Sequence, residues 1–351
     1  MRPFKKNIFY FIILLVTNSD CRDEYNFKTL TPESHLVLDG GIHDGPGPYS
    51  LSLGITNFSD RPANPLTNAL ITITDDHGVK ETYEEVGNGR YRLNGTIVQG
   101  TPGTGYGIDI RLPNGKVYHS TREVMPDVPL AIDSPYWKIV NEKVVSSEGV
   151  TVSYVFAQIF LTSQLQRSPS PGYFRWGIDE VYSIYPTCAT GSFCPHICYV
   201  FKPVSSYNLT LVKSTDYVVN APLSNILLQS QGVDYTFSSE HMYNVTQYSM
   251  NKSNFQYWTK IQELVMKRGS IFDTPPAKIK GNISSESDES EIVFGYFEAT
   301  TQKIRRLKVN RGNVPSYLVD CQIYPESTYN RFCQSCDYLP GSTASQPSWW
   351  F

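Results

Sequence analysis

Residues 248 to 297 decide the fold: Tyr248-Ser249-Met250-Asn251, then Lys252 to Lys267, then Gly269-Ser270-Ile271-Phe272-Asp273, Pro275-Pro276, Gly281-Asn282-Ile283 and finally Phe294-Gly295-Tyr296-Phe297. Phe255, Trp258, Ile261 and Leu264/Val265 recur at three- and four-residue spacing, so they share one face of a helix, 252–267. Asn251 is the expected N-cap, because its side-chain oxygen can accept from a free first-turn N–H. Lys267 and Arg268 suit the negative end of the helix dipole, and Gly269 can take the left-handed position after it. The two prolines forbid continuation, and a strand is expected from near Glu291. A lone amphipathic helix between strands is expected to cover the open side of a sheet rather than build a cofactor or partner groove, since its apolar stripe must be buried.

The rest of the chain reads as strands and turns. Of 351 residues, 24 are Tyr, 24 Gly and 23 Pro, while charged residues make up 18%. This composition favours a mainly all-β protein, and the length allows two domains. A net charge of −3 gives no electrostatic case for nucleic acid. Lys303, Arg305, Arg306 and Lys308 read as decoration of a strand.

Residues 1–20 have the form of an export signal: Arg2, Lys5 and Lys6, then an apolar run from Ile8 to Val16 too short to span a bilayer. Cys21 closes it, as a lipidated cysteine would, although Asn18-Ser19-Asp20 is not the usual small-residue approach. Either Cys21 is acylated or the leader is a simple secretory signal. Arg22-Asp23-Glu24-Tyr25 then begins a polar tether, 21–34.

Residues 35–130 are expected to form an immunoglobulin-like β-sandwich. His35 to Asp39 is a short apolar run ending in Gly40-Gly41. Tyr49, Leu51 and Leu53 alternate with serines, as do Ile71 and Ile73 with threonines. Gly87-Asn88-Gly89 and Asn114-Gly115 mark hairpins. The Gly100–Gly107 stretch lacks the Lys-Ser/Thr of a phosphate loop, so it reads as a loop. Pro126-Asp127-Val128-Pro129 closes the unit.

Residues 134–351 are expected to form a second antiparallel β domain that carries the helix. Strands are expected at 150–160 and 173–184, then near 209–213, 232–238, 242–249, 291–299 and 303–309, with 280–291 an exposed loop. Phe174, Trp176 and Ile178 share one face of their strand and Tyr173, Arg175 and Asp179 the other. Asp179 and Glu180 therefore point to opposite sides and cannot act as a carboxylate pair.

Beyond Cys21, six cysteines remain: Cys188, Cys194, Cys198, Cys321, Cys333 and Cys336. In an exported chain they are disulfide candidates, with fifteen possible pairings. The rival is a metal site from Cys194-x-His196-x-Cys198 with Cys333-x-x-Cys336. The tail, ending Trp349-Trp350-Phe351, is expected to pack on the domain; exposed, it would make a sticky patch for a partner. The chain has no Gly-x-Ser-x-Gly elbow, His-Glu-x-x-His helix or Walker loop, and its six histidines are scattered. No catalytic residue, cofactor or metal ligand is nominated. His43-Asp44, in a Gly/Pro-rich loop, is a weak candidate for a cation or ligand role.

The opening stretch, together with Asp39-Gly40-Gly41-Ile42, Pro46-Gly47-Pro48-Tyr49, Gly115-Lys116-Val117-Tyr118, Tyr173-Phe174-Arg175-Trp176 and the Cys333-to-Trp350 tail, resembles the Bacteroidota family known as domain of unknown function 4249. The resemblance covers most of residues 21 to 350. It implies a predicted outer-membrane lipoprotein, anchored through Cys21 and facing the extracellular side, with the acidic residues after Cys21 looking like a surface-export signal. It further implies a non-enzymatic accessory to a TonB-dependent receptor that captures an extracellular ligand. Two other readings stand beside it: a cell-surface hydrolase acting on glycans or peptides, and a structural or adhesion module of the envelope. β-Sandwiches host all three roles.

Overall fold

The computed structural model describes residues 34–56, 62–145, 147, 149–184, 197–203, 209–218, 221–266, 278–309, 312, 314, 336 and 341–350. The leader, Cys21 and the tether up to residue 33 lie outside the described residues, as do Cys188, Cys194, His196, Cys321 and Cys333 and the Lys267–Gly269 helix end. The protein is mainly β, with one α-helix among the described residues.

Alternation of apolar and polar residues produces the first ten strands: β1 (Leu36–His43), β2 (Tyr49–Ile55), β3 (Asn64–Pro65), β4 (Leu70–Asp75), β5 (Lys80–Thr82), β6 (Glu84–Gly87), β7 (Arg90–Leu93), β8 (Gly105–Arg111), β9 (Val117–Ser120) and β10 (Glu123–Val124). Longer strands follow: β11 (Ile132–Val145), β12 (Thr151–Gln164), β13 (Tyr173–Ile184), β14 (Cys198–Pro203), β15 (Thr210–Lys213), β16 (Pro222–Gly232) and β17 (His241–Met250). Helix α1 (Lys252–Met266) comes next, then β18 (Ile283–Ser285), β19 (Phe294–Val309) and β20 (Ser342–Thr343).

Among the described residues these strands form three sheets. An eleven-stranded sheet runs β20-β14-β13-β17-β19-β1-β2-β7-β6, with β15 also on β13 and β3 on β2. A six-stranded sheet runs β18-β9-β8-β4-β5 with β10 on β8, and a three-stranded sheet runs β11-β12-β16. The large sheet faces the six-stranded one across a core that includes Leu38, Leu51, Ile71, Tyr106, Ile110 and Phe297. Its other half faces the three-stranded sheet across a core that includes Ile159, Leu161, Phe174, Trp176, Tyr243 and Val245. The first core also takes in Ile283, Val293, Phe297 and Ala299 from the C-terminal half, and one sheet runs through both cores.

The seam that joins them is a parallel pairing of β1 with β19, from Val37 opposite Phe294 to His43 opposite Thr300. Backbone approach here is close. A Cβ on Gly41 would lie 2.1 Å from the Glu298 carbonyl oxygen, and one on Gly295, at φ +88°, would lie 1.6 Å from that of Leu38. Only glycine fits either place. Gly40-Gly41 therefore does not end β1, as the turn-like dipeptide suggests; the strand passes through it to His43.

Three other expectations are corrected. Residues 232–238 are not a strand, because the Asp234 carboxylate accepts from the Thr236 N–H at 2.9 Å and its hydroxyl at 2.6 Å, capping a short 3₁₀ turn, Tyr235–Phe237. The neighbouring strand is β16 instead. The 280–291 loop contains β18, whose Ile283 and Ser285 are buried as it pairs with β9. The two strands expected at 291–299 and 303–309 are one, since Thr300-Thr301-Gln302 between them suits extended backbone. Phe174, Trp176 and Ile178 do turn inward together, with Glu180 beside them and Asp179 exposed on the other face.

Helix α1 starts at the expected cap: Asn251 Oδ1 accepts from the Asn254 N–H at 2.9 Å. It lies against β13, β15 and β19, on the face of the large sheet opposite both cores. Its apolar residues Phe255, Trp258, Ile261, Leu264 and Val265 are only half-buried.

Candidate functional site

Alternation along β1 and β19 sends Leu36, Phe297 and Ala299 into the core and turns Val37, Asp39, Tyr296 and Glu298 toward α1. Between them and the helix lies a groove of about 460 Å³, within the range of small-ligand sites. Val37, Ile261, Leu264, Ile279 and Phe294 make it apolar, while Tyr257, Trp258 and Tyr296 supply aromatic surface. Asp39, Glu298 and Lys278 also line it. The helix covers the sheet as its pattern predicts, but a groove remains under it, contrary to the expectation. Tyr257 and Trp258 on α1, Asp39 on β1 and Glu298 on β19 line it.

Arg175 of β13 ties the groove together. Its guanidinium lies 4.1 Å from the Trp258 ring and 4.3 Å from the Tyr248 ring, sandwiched between them. It also pairs with Glu298 at 3.1 Å, and the Trp258 Nε1–H donates to the same carboxylate at 2.8 Å. Both charged side chains are enclosed, 13% and 14% exposed. Arg175 Nε is buried with no hydrogen-bond partner among the described residues. Nearby Asp39 sits at the mouth, solvent on one side and protein on the others. That enclosure, and then the Glu298 charge, hold its carboxyl above the ordinary value, with Arg175 pulling the other way. Among the described residues its carboxylate accepts no hydrogen bond. Tyr257, whose ring centroid is 4.9 Å from that of Tyr296, is pushed up to about 12 by burial and then by the Glu298 and Asp39 charges.

A second buried carboxylate, Glu123 on β10, anchors the groove from behind at 1% exposure. Its Oε1 accepts from the Tyr296 hydroxyl at 2.8 Å, from Thr121 Oγ1 at 3.0 Å and from Asn282 Nδ2 at 3.1 Å. Its Oε2 accepts from Asn251 Nδ2, the helix N-cap. Asn282 also exchanges hydrogen bonds with both backbone groups of Phe297, at 2.8 Å and 3.0 Å. One acid therefore positions the start of α1, strand β19 and the Gly281-Asn282-Ile283 segment together.

The other sequence candidates go elsewhere. Cys198 and Cys336 form a disulfide, which removes the Cys198 sulfur from the Cys194–His196–Cys198 metal set. Among the described residues no three His, Cys, Asp or Glu side chains gather as a metal site needs. His43 accepts from the Gly45 N–H and burial lowers its pKa, while Asp44 accepts from the Gln302 N–H at 2.8 Å, so this pair brackets a loop. Trp350 packs on the domain, 9% exposed, edge-on to Tyr199 and donating to Glu240 at 2.6 Å. Arg306 lies 4.4 Å from the Trp349 ring.

Sequence reasoning missed Asp39, Glu298, Arg175 and Glu123 as a site. Tyr248, Trp258, Asp39, Arg175, Asn282 and Tyr296 all lie in the motifs quoted for the family resemblance, and that shared membership was the available signal. A family model described as Domain of unknown function (DUF4249) matches residues 22–306. No curated protein matches the chain.

Proposed function

The chain belongs to the DUF4249 family of unknown function, and from that premise we propose that it is a non-enzymatic, surface-exposed outer-membrane lipoprotein that captures a ligand for a TonB-dependent transporter. The single observation that carries the capture role is the groove under α1. It combines apolar and aromatic lining with a few placed charges, the composition of a binding site. Glu298 favours holding over catalysis, because its carboxylate is already engaged by Arg175 and Trp258. The export-type leader, Cys21 and the acidic tether support anchoring, since several acyl chains at about 0.8 kcal/mol per CH₂ hold a folded domain on a membrane durably.

The test is an affinity pull-down of the tagged protein from mildly solubilised outer membranes. Stoichiometric recovery of a TonB-dependent receptor is expected, and Cys21→Ser should move the protein to the soluble fraction. Recovery of the protein alone would overturn the transporter link.

A hydrolase is the second reading, favoured by the raised Asp39 carboxyl beside Glu298. It requires turnover of a glycan or peptide that Asp39→Asn abolishes; binding without turnover rejects it.

A further inference from the structure

We propose that the groove under α1 takes an organic cation, a ligand with an apolar body and one ammonium group, and that the ammonium meets Asp39. This rests on the ligand-capture reading and names the class of ligand.

Three charged groups act on one another beside the groove: Asp39, Glu298 and Arg175. The guanidinium is already engaged, stacked between the Trp258 and Tyr248 rings and paired with Glu298 at 3.1 Å. One guanidinium against two carboxylates leaves one negative charge over. It rests on Asp39, because Glu298 holds both Arg175 and the Trp258 indole N–H. Lys278 lines the groove too, but the charges felt at Asp39 are those of Glu298 and Arg175.

Any ligand that fills the groove takes water from Asp39, and a carboxylate stripped of water without a partner is costly. An ammonium replaces that water with a charge-assisted hydrogen bond. An alcohol can donate as well, at about half the strength. A ligand carboxylate or phosphate meets Asp39 and Glu298 as like charges. The aromatic rings suit a cation too. Tyr296 stands opposite Asp39 in the β1–β19 register, and the Tyr257 ring centroid lies 4.9 Å from that of Tyr296. Val37, Ile261, Leu264 and Ile279 then receive the apolar body. At about 460 Å³ the groove admits a ring with a short chain, which an inorganic cation would leave unfilled.

The test is calorimetric titration of the Cys21→Ser chain, purified without detergent. The probes are phenylbutylammonium and its neutral and anionic counterparts, phenylbutanol and phenylbutyrate. The amine is expected to bind about tenfold or more tightly than the alcohol, the size of one charge-assisted hydrogen bond, and the carboxylate more weakly than either. Asp39→Asn should bring the amine to the level of the alcohol and leave the alcohol unchanged. Among the described residues the Asp39 carboxylate accepts no hydrogen bond, so this variant should keep the fold, and the comparison of probes on the Cys21→Ser chain needs no further variant. Alcohol or carboxylate binding as tightly as the amine would overturn the proposal while leaving capture itself standing. A preference for the amine that survives Asp39→Asn, or no binding of the amine at millimolar concentration, would overturn it as well. A receptor recovered by pull-down alongside any of these leaves the accessory role in place. Amine binding with no receptor recovered removes the transporter link alone.

Discussion

Glu81 points its carboxylate into four successive backbone N–H groups. Gly95 and Thr96 donate to Oε1 at 3.0 and 3.3 Å, and Ile97 and Val98 donate to Oε2 at 3.0 and 2.7 Å. Burial by itself would raise this carboxyl, but the four donors outweigh it and hold the pKa below its ordinary 4.5. A lowered folded-state pKa means stability that is present above pH 4.5 and lost as the pH falls through the folded value. Glu81→Gln should therefore destabilise by about 1–3 kcal/mol at pH 7. The gap to wild type should narrow below pH 4.5, as read by urea unfolding at both pH values. Nothing in the sequence marked Glu81, because its partners are backbone groups of a loop that carries no motif. The same limit hid Arg175 and Glu298. They are 123 positions apart, and each looks like an ordinary polar residue of a strand until β13 and β19 are seen in one sheet.

Among the elements, α1 was the most legible, since cap, periodicity and breakers agreed. Its start has a feature beyond a cap. Asn251 uses its oxygen for the Asn254 N–H and its nitrogen for buried Glu123. At an ordinary N-cap, Asp replaces Asn without loss. Here Asn251→Asp brings a second carboxylate against Glu123, and it should destabilise more than Asn251→Ala, which costs about 1 kcal/mol for the lost cap. Stability of the Asp variant should recover as acid protonates the pair, a pH response absent from the Ala variant; thermal unfolding followed by circular dichroism reads both. Element types in the first sandwich were equally legible through alternation. The turn at Asp234 and strand β18 were not, because a local side-chain cap and a three-residue pairing leave little periodic signal.

At the scale of the molecule, the all-β class was plain from composition and turns, whereas the joining of the two cores was not. Cysteine counting could not choose among fifteen pairings; the fold brings Cys198 and Cys336 together across 138 residues. A loop of that length predicts about 4–5 kcal/mol of stabilisation. Cys336→Ala should lower the urea midpoint of the oxidised protein, and dithiothreitol should lower the wild-type midpoint by more than that of the variant, which lacks this bond.

The parallel seam also sets an order of events in time. β1 is the first strand of the large sheet to be synthesised, yet the residues that receive it arrive late: His35 meets Ile292, 257 positions downstream. Its antiparallel partner β2 comes at once, so a nascent hairpin forms early with one edge open and Leu36 and Leu38 uncovered. That edge waits for nearly the whole chain. Such a topology has high contact order, folds slowly and exposes a sticky strand throughout the delay. A lesion at Gly41 or Gly295 would then appear first as poor yield from the cell, before any change in the behaviour of the molecules that do complete the sheet.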